Sequence, residues 1–440
     1  MTRDVYENYT IAELRSMLSE LGGAPGNKKK ADLIDEIIGI RIGKREAVRS
    51  TRGRKTTKQK RFSEYDFTLP VQNDYLSDVG RETSVEIEGV LDVDFYGGFL
   101  RGKNYLPGSS DVFVQTYDIE NFFLRRGDMV KGRALRRPPK NRLQLTSVES
   151  VNGKPPRTRP LESLEEYKIC HEQRKIEINY GKNSALKTAD LFCPLAKGRR
   201  ELFVAPESGV KYGYLKDLLQ NIKGDEKLKI IFAVIDETPE NVAAIEEFGG
   251  NFEFAYTTFE KTPEEHVKVA ETAFYRAKAL CEDGFDAVLI FESITKLVKA
   301  YTESENLLDD GSRQNFNAAI LKTKKLLSFV RELGSRSITV IATARDDNDF
   351  AKAVLNEIAP VCNGRLVLFR KLQKKPAFLP IDIAESECLS CADLLSSEDY
   401  FIVEKAEKIA RFNPEKNEEI ISVLSKHIFD KDICEIIKKL

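Results

Sequence analysis

The sequence predicts a multidomain protein of mixed class, α+β in its first part and α/β in its core. Three observations predict it. Short apolar runs punctuated by turn residues fill residues 84–151, the pattern of a small antiparallel barrel. From about 186 to 385, apolar runs alternate with helical stretches, as in a mainly parallel sheet covered on both faces. Helical periodicity marks both ends of the chain. A length of 440 residues leaves room for two or three domains and at least one large core.

Residues 1–40 read as a small helical unit. Thr10 and Glu13 have capping-box spacing, and Ile11, Leu14, Met17, Leu18 and Leu21 share one helical face. Gly22 and Gly23 end that helix. Lys28 to Lys30 lead into a second helix with Leu33, Ile34, Ile37 and Ile38 on its apolar face. Residues 41–80 form a linker. Its first half, RIGKREAVRSTRGRKTTKQKR, contains one acid, Glu46, and no apolar periodicity. It is either a charged tether or an arm for phosphate backbones, and the barrel that follows favours the arm.

Residues 81–153 hold the barrel, with strands in SVEIEGVLDV, YGGFLR, DVFV, DMVKGRAL and LQLTSVESV. Aromatic and basic residues interleave there: Phe95, Tyr96, Phe99, Arg101, Lys103, Tyr105 and Phe113. Exposed rings stack bases and cations follow the backbone of a single strand. The competing reading puts half of these rings in the barrel core. A connector containing KPPRTRP spans 154–185. The core, 186–385, has strands in ELFVA, KIIFAVID, FEFAYTTF, DAVLIFES, SITVIATA and RLVLFR. Ligands of such sheets bind beyond the carboxyl ends of the strands. Residues 386–440 read as helical.

One loop carries the chemical question. APESGVKYGYL, from Ala205 to Leu215, lies between a strand and a helix, where a phosphate-binding loop belongs. It keeps a lysine, Lys211, but Val210 precedes it where glycine is needed, and Tyr212 follows where a serine or threonine binds Mg²⁺. Glycines let backbone N–H groups converge on phosphate oxygens, and a β-branched residue resists the positive-φ geometry often used there.

Composition sets the remaining bounds. With 41% apolar and 32% charged residues the chain reads as soluble and globular, and its net charge of −1 does not by itself indicate a nucleic-acid binder. It has no signal-type N-terminus and no run of about 18 apolar residues, so a cytoplasmic location without a membrane span is expected. Seven scattered cysteines suit reduced thiols. Cys388 and Cys391 have metal or redox spacing, but no second pair and no nearby histidine accompany them, so the plain reading is two free thiols and no metal site is expected.

The order of parts, with the motifs GVLDVDFYGGFLRGKNYLPGSSDVFV, FFLRRGDMVKGRALRRPPK, TADLFCPLAKGRRELFVAP, VIDETPENV, TTFEKTPEEHVKVAE, AVLIFESITKLVKAY and FRKLQKKPAFLPIDI, resembles the bacterial transcription termination factor Rho family. The N-terminal segment LRSMLSELGGAPGNKKKADLIDEI is similar to that family's helical unit. The resemblance runs to about residue 385. It implies an OB-fold, cold-shock-like RNA-binding barrel and a RecA-like, P-loop-type core with C-terminal helices. It further implies a ring, a homo-hexamer, that binds single-stranded RNA and uses ATP with Mg²⁺ at sites between subunits.

Carried over residue by residue, the resemblance assigns Gly209, Lys211 and Tyr212 to the nucleotide. Glu237 falls on the glutamate that orients the attacking water, and Glu292 on an acidic strand end where the family has aspartate. Arg370 falls on the arginine that a neighbouring subunit offers to the γ-phosphate. Phe99 and Phe113 fall on RNA-facing barrel aromatics, with Arg101 and Lys103 beside them, and Lys324 near a basic loop facing the channel. The departures are Val210, Tyr212, Thr238 in place of an arginine, Ile358 where an aromatic stacks on the base, Gly97 in place of a barrel aromatic, and the loop around DDGSRQNFN. The expected function is a single-stranded RNA-binding ring factor in transcription termination with an impaired ATP site, its partners including RNA polymerase or another Rho. An RNA-dependent ATPase or helicase with weak or no hydrolysis stands beside a second reading, an inactive RNA-binding scaffold that joins or modulates a true Rho ring.

Overall fold

The computed structural model describes residues 14, 15, 18, 29–34, 84–94, 97–137, 142–172, 174–205, 209–224, 226–305, 312–369 and 379–438. Two compact units divide the chain, Met1–Asp78 and Val79–Leu440. In the first, Leu14, Leu18, Leu33 and Ile34 are buried, as the two-helix pattern expects of them. The linker and the capping pair Thr10 and Glu13 lie outside the described residues, as do Phe95, Tyr96 and Arg370.

The second unit begins with a closed five-stranded barrel. Its strands are β1 (Val85–Asp94), β2 (Gly97–Arg101), β3 (Val112–Val114), β4 (Met129–Arg137) and β5 (Arg142–Val151), joined in the order β1-β2-β3-β5-β4. Inward-facing Leu91, Leu100, Val112, Val114, Val130 and Leu145 fill it. The stretch between β3 and β4 is more than a turn, because it holds a short helix, α1 (Thr116–Asn121).

The core is a mainly parallel sheet. Its strands are β6 (Arg200–Val204), β7 (Leu228–Glu237), β8 (Glu253–Thr258), β9 (Asp286–Glu292), β10 (Arg331–Glu332), β11 (Ser337–Ala344), β12 (Gly364–Val367) and β13 (Glu387–Cys388). The order is β13-β12-β6-β11-β9-β7-β8, with β10 pairing to β11. β13 runs antiparallel to β12 and closes that edge. β9 and β11 are buried along their whole length, which explains why they read as unbroken apolar runs. In β7 the pleat sends Ile231, Ala233 and Ile235 to one core, and Ile230, Phe232 and Val234 to the other.

Helices cover both faces. α2 (Ser184–Phe192), α3 (Gly209–Asn221) and the C-terminal α9 (Ser397–Phe412), α10 (Asn417–His427) and α11 (Ile433–Lys438) pack on one side. α5 (Pro263–Glu282), α6 (Ile294–Glu305), α7 (Ser312–Leu327) and α8 (Asp349–Ile358) pack on the other, while α4 (Pro239–Glu246) follows β7. Local sequence sets their starts. Thr262 caps α5, with Glu265 completing a capping box and Pro263 at the first helical position.

The barrel docks on the core through buried polar groups. Arg276 on α5 reaches Glu253 at 2.7 Å, the Gly127 carbonyl at 3.2 Å and Asn152 at 2.5 Å. Arg157 pairs with Asp128 at 2.6 Å and Asp283 at 3.1 Å, and the Asn152 amide donates to both acids. The backbones approach closely enough that a Cβ at Gly127 would lie 2.2 Å from the Tyr275 carbonyl oxygen.

Candidate functional site

The carboxyl ends of β7, β9 and β11 and the first turn of α3 bring four charged side chains together. Glu237 ends β7, Glu292 ends β9, Lys211 is the third residue of α3, and Lys296 lies in the first turn of α6. A register shift between Val234 and Glu237, with Asp236 at φ 51°, re-aims the end of β7. Lys211 Nζ lies 2.6 Å from Glu292 Oε1, and Lys296 Nζ lies 2.6 Å from Glu237 Oε2. Lys296 Nζ is also 3.9 Å from Glu292 Oε1, so the two pairs touch. All four residues are buried.

Neutral donors complete the cluster. The Tyr212 hydroxyl donates to Glu237 Oε2 at 2.5 Å, and the Tyr212 ring lies 4.6 Å from the Lys211 ammonium. The Asn241 amide and the Thr238 N–H donate to Glu237 Oε1 at 2.9 and 3.0 Å. Thr238 also caps α4, its hydroxyl accepting from the Asn241 N–H. The Thr343 hydroxyl donates to Glu292 Oε2. Burial pushes the Glu237 carboxyl up, but the Lys296 charge and the hydrogen bonds from Lys296, Tyr212 and Asn241 outweigh it and hold the group at about 2.

Two lysines and two glutamates cancel. A triphosphate needs uncompensated positive charge, and Mg²⁺ needs carboxylate and hydroxyl oxygens that can turn to it. Both Glu292 oxygens accept bonds from within the protein, and the hydroxyl at the magnesium position belongs to a tyrosine bonded to Glu237. In this arrangement the residues do not fit Mg²⁺-ATP.

The structure brings together Lys211, Tyr212, Glu237 and Glu292, with Gly209 opening the same helix. Arg370 lies outside the described residues. Val210 is half-buried against the core. Ile358, at the position expected to face a base, is buried in the other core. Sequence reasoning missed Lys296, Asn241 and Thr343. The four-residue spacing from Glu292 to Lys296, across a strand-to-helix junction, is the signal that finds the first.

On the barrel, Phe99 and Phe113 are direct partners across β2 and β3, with ring centroids 5.5 Å apart. Both are half-buried rather than part of the barrel core. Exposed Arg142 lies 5.2 Å from the Phe99 centroid and Arg101 4.8 Å. Arg101 differs from the expectation of an open cation. It is half-buried and paired with Asp92 at 3.0 Å and with Asp111, so it buttresses Phe99 with its charge already matched. Lys103 opens a short 3₁₀ turn after β2. Lys324, in the last turn of α7, pairs with Glu357 at 2.8 Å.

Residues 87–157 match the Rho termination factor RNA-binding domain, and residues 185–388 the nucleotide-binding domain of the ATP synthase alpha/beta family. Transcription termination factor Rho of Bacillus subtilis is 32% identical over 327 residues, which span 70% of this chain and 74% of that protein. The Rho of Streptosporangium roseum is 33% identical over 323 residues, 70% of this chain and 80% of that protein. Among solved structures, an ATPase from a bacterial type III secretion system matches with a TM-score of 0.51 at 20% identity, covering 67% of this chain and 89% of that one, a likeness of fold alone. Among the described residues no helix is long and apolar enough to cross a membrane. A five-stranded barrel of the RNA-binding type, an ATPase-type parallel sheet in the expected order, and relatives that agree across both parts place this chain in the Rho family of transcription termination factors.

Proposed function

We propose that this chain is a cytoplasmic, ring-forming, single-stranded RNA-binding factor that acts in transcription termination with an impaired ATP site. The observation that carries the impairment is the closed set of ion pairs Lys211–Glu292 and Lys296–Glu237, with Tyr212 bonded into it. Hydrolysis needs Lys211 on phosphate and Glu237 on water. Here each is neutralised by a buried partner, and freeing it leaves a buried charge alone. RNA binding rests on the barrel, whose Phe99 and Phe113 form one ring pair beside Arg142.

The same closure favours a second reading, in which the chain joins or modulates an active Rho ring as a non-hydrolysing subunit. The choice is made by ATP hydrolysis of the purified chain, with and without pyrimidine-rich single-stranded RNA and with Glu237→Gln as the blank. Turnover indistinguishable from the blank, in protein shown to bind that RNA, is the expected result. RNA-stimulated turnover abolished by Glu237→Gln refutes the impairment. Native mass spectrometry of the chain mixed with an intact Rho separates the readings, because only the second expects mixed rings.

A further inference from the structure

The edge of the sheet formed by β12 and β13 gathers three thiols around one buried arginine. Cys388 lies in β13, paired in register with Gly364 of β12. Cys391 follows one turn later, at the start of a short 3₁₀ turn, with its thiol beside that of Cys388. The Arg199 guanidinium donates to Cys388 Sγ at 3.4 Å and to Glu201 Oε1 at 2.6 Å. Cys193 Sγ donates to Glu201 Oε2 at 3.3 Å from beneath. The nest is tight, since a Cβ on Gly364 would lie 1.9 Å from Glu201 Oε2 and 2.8 Å from Cys193 Sγ. Cys388 opens on a cavity of about 660 Å³ lined also by Cys362, Glu407 and Arg411. Cys391 stands among exposed Leu389, Ser390 and Ala392.

We propose that Cys388 and Cys391 form a redox-active dithiol that reacts reversibly with low-molecular-weight disulfides. One contact favours this chemistry over metal binding: the Arg199 guanidinium, within hydrogen-bond reach of Cys388, opposes a cation on that sulfur but favours negative charge on the thiol pair. The half-buried Cys391 thiol, set among exposed neighbours, is the attacking one. The Cys388 thiol beside it draws Cys391 below the ordinary thiol range, while the Cys391 thiol and burial push Cys388 up. The Cys391 thiolate attacks one sulfur of the external disulfide, breaking its S–S bond and releasing one thiolate. Cys388 then attacks the Cys391 sulfur of the mixed disulfide, forming the intramolecular bond and releasing the second thiolate. Two electrons pass from the protein to the external disulfide, and the two cysteine protons end on the released thiols. Cys193 is held by Glu201, and burial raises its thiol well above the usual range, so it stays outside the exchange.

The test uses the full chain with oxidised glutathione, followed by alkylation and peptide mapping. The expected result is a Cys388–Cys391 disulfide, seen as the loss of two hydrogens from that peptide and reversed by dithiothreitol, while Cys362 and Cys434 remain alkylatable. Cys391→Ser is expected to slow reaction at Cys388 by about tenfold or more, and Cys388→Ser to trap glutathione on Cys391 because no resolving thiol remains. Alkylation of both thiols at the rate of Cys434, with no intramolecular disulfide, overturns the proposal. So does stoichiometric zinc in the purified protein that shields the pair until it is chelated. Neither outcome depends on a substituted chain folding, and neither bears on ATP hydrolysis.

Discussion

Lys296 sits four residues after Glu292, yet its closest partner is Glu237, from a different strand. Removing the lysine leaves a buried carboxylate with neutral donors only. Breaking such a pair typically costs about 3–5 kcal/mol. Lys296→Met is therefore expected to lower the urea midpoint, and Glu237→Gln combined with Lys296→Met to recover most of the loss, as a double-mutant cycle measures. The pH dependence has a defined sign. The folded Glu237 carboxyl lies at about 2 against an ordinary 4.5, so its contribution is fully present above the unfolded value and fades as pH falls toward 2. The gap corresponds to about 3 kcal/mol. In Glu237→Gln the fall in stability below pH 4.5 should be shallower than in the parent chain, read from urea curves across that range. Lys211 was legible from the loop itself, and Glu237 and Glu292 through the family resemblance of the segments that hold them. That Tyr212 bonds to Glu237 was not, because a side chain's reach across two elements depends on how α3 packs against β7.

At the scale of elements, the β2–β3 pair decides what the barrel offers to RNA. The cross-strand register puts Phe99 opposite Phe113, and the pleat keeps both rings off the barrel interior. Phe113→Ala is expected to weaken single-stranded RNA binding by about 1–3 kcal/mol. The two arginines beside Phe99 should behave differently. Arg142 is exposed, so Arg142→Ala should reduce the slope of log affinity against log salt by about 0.7, the value for one single-strand phosphate contact. Arg101 is matched by Asp92 and Asp111. Arg101→Ala should leave that slope unchanged while lowering thermal stability. Fluorescence titrations at several salt concentrations, with thermal unfolding alongside, check both. The family resemblance singled out the aromatic pair and Arg101, and passed over Arg142. The acids that distinguish the two arginines come from β1 and from the loop before β3, which periodicity within one strand does not connect.

At the scale of the whole second unit, the order of parts was legible and their joining was not. Apolar periodicity marks a barrel and a sheet because each fills its own core. The contact between them combines a few apolar side chains, Val90 and Tyr105 among them, with isolated polar pairs far apart in the chain, such as Asn152 with Asp283 and Arg126 with Glu271. No local pattern announces such pairs. Asp92 is the clearest case: a barrel residue, 1% exposed, it takes Lys268 from α5 as well as Arg101. Gly127 marks the closest backbone approach. Its φ of +93° already excludes most side chains, and an added Cβ would meet the Tyr275 carbonyl carbon at 2.4 Å and the Arg276 nitrogen at 2.7 Å. Because the obstacles are backbone atoms of α5, the barrel must move away from the helix to accommodate a methyl group. That movement stretches the bonds from Arg276 to the Gly127 carbonyl and to Asn152, and the bond from Asn152 to Asp283. The barrel's interior cluster is separate from the interface and should survive. Gly127→Ala is therefore expected to uncouple the parts rather than unfold either one. Hydrogen exchange should show faster exchange along the contact face of α5 and at Asn152, with β2 and β9 still protected. Equal loss of protection in β2 and β9 would instead mean that the barrel and the sheet fold as one cooperative unit, with the interface as part of their common core.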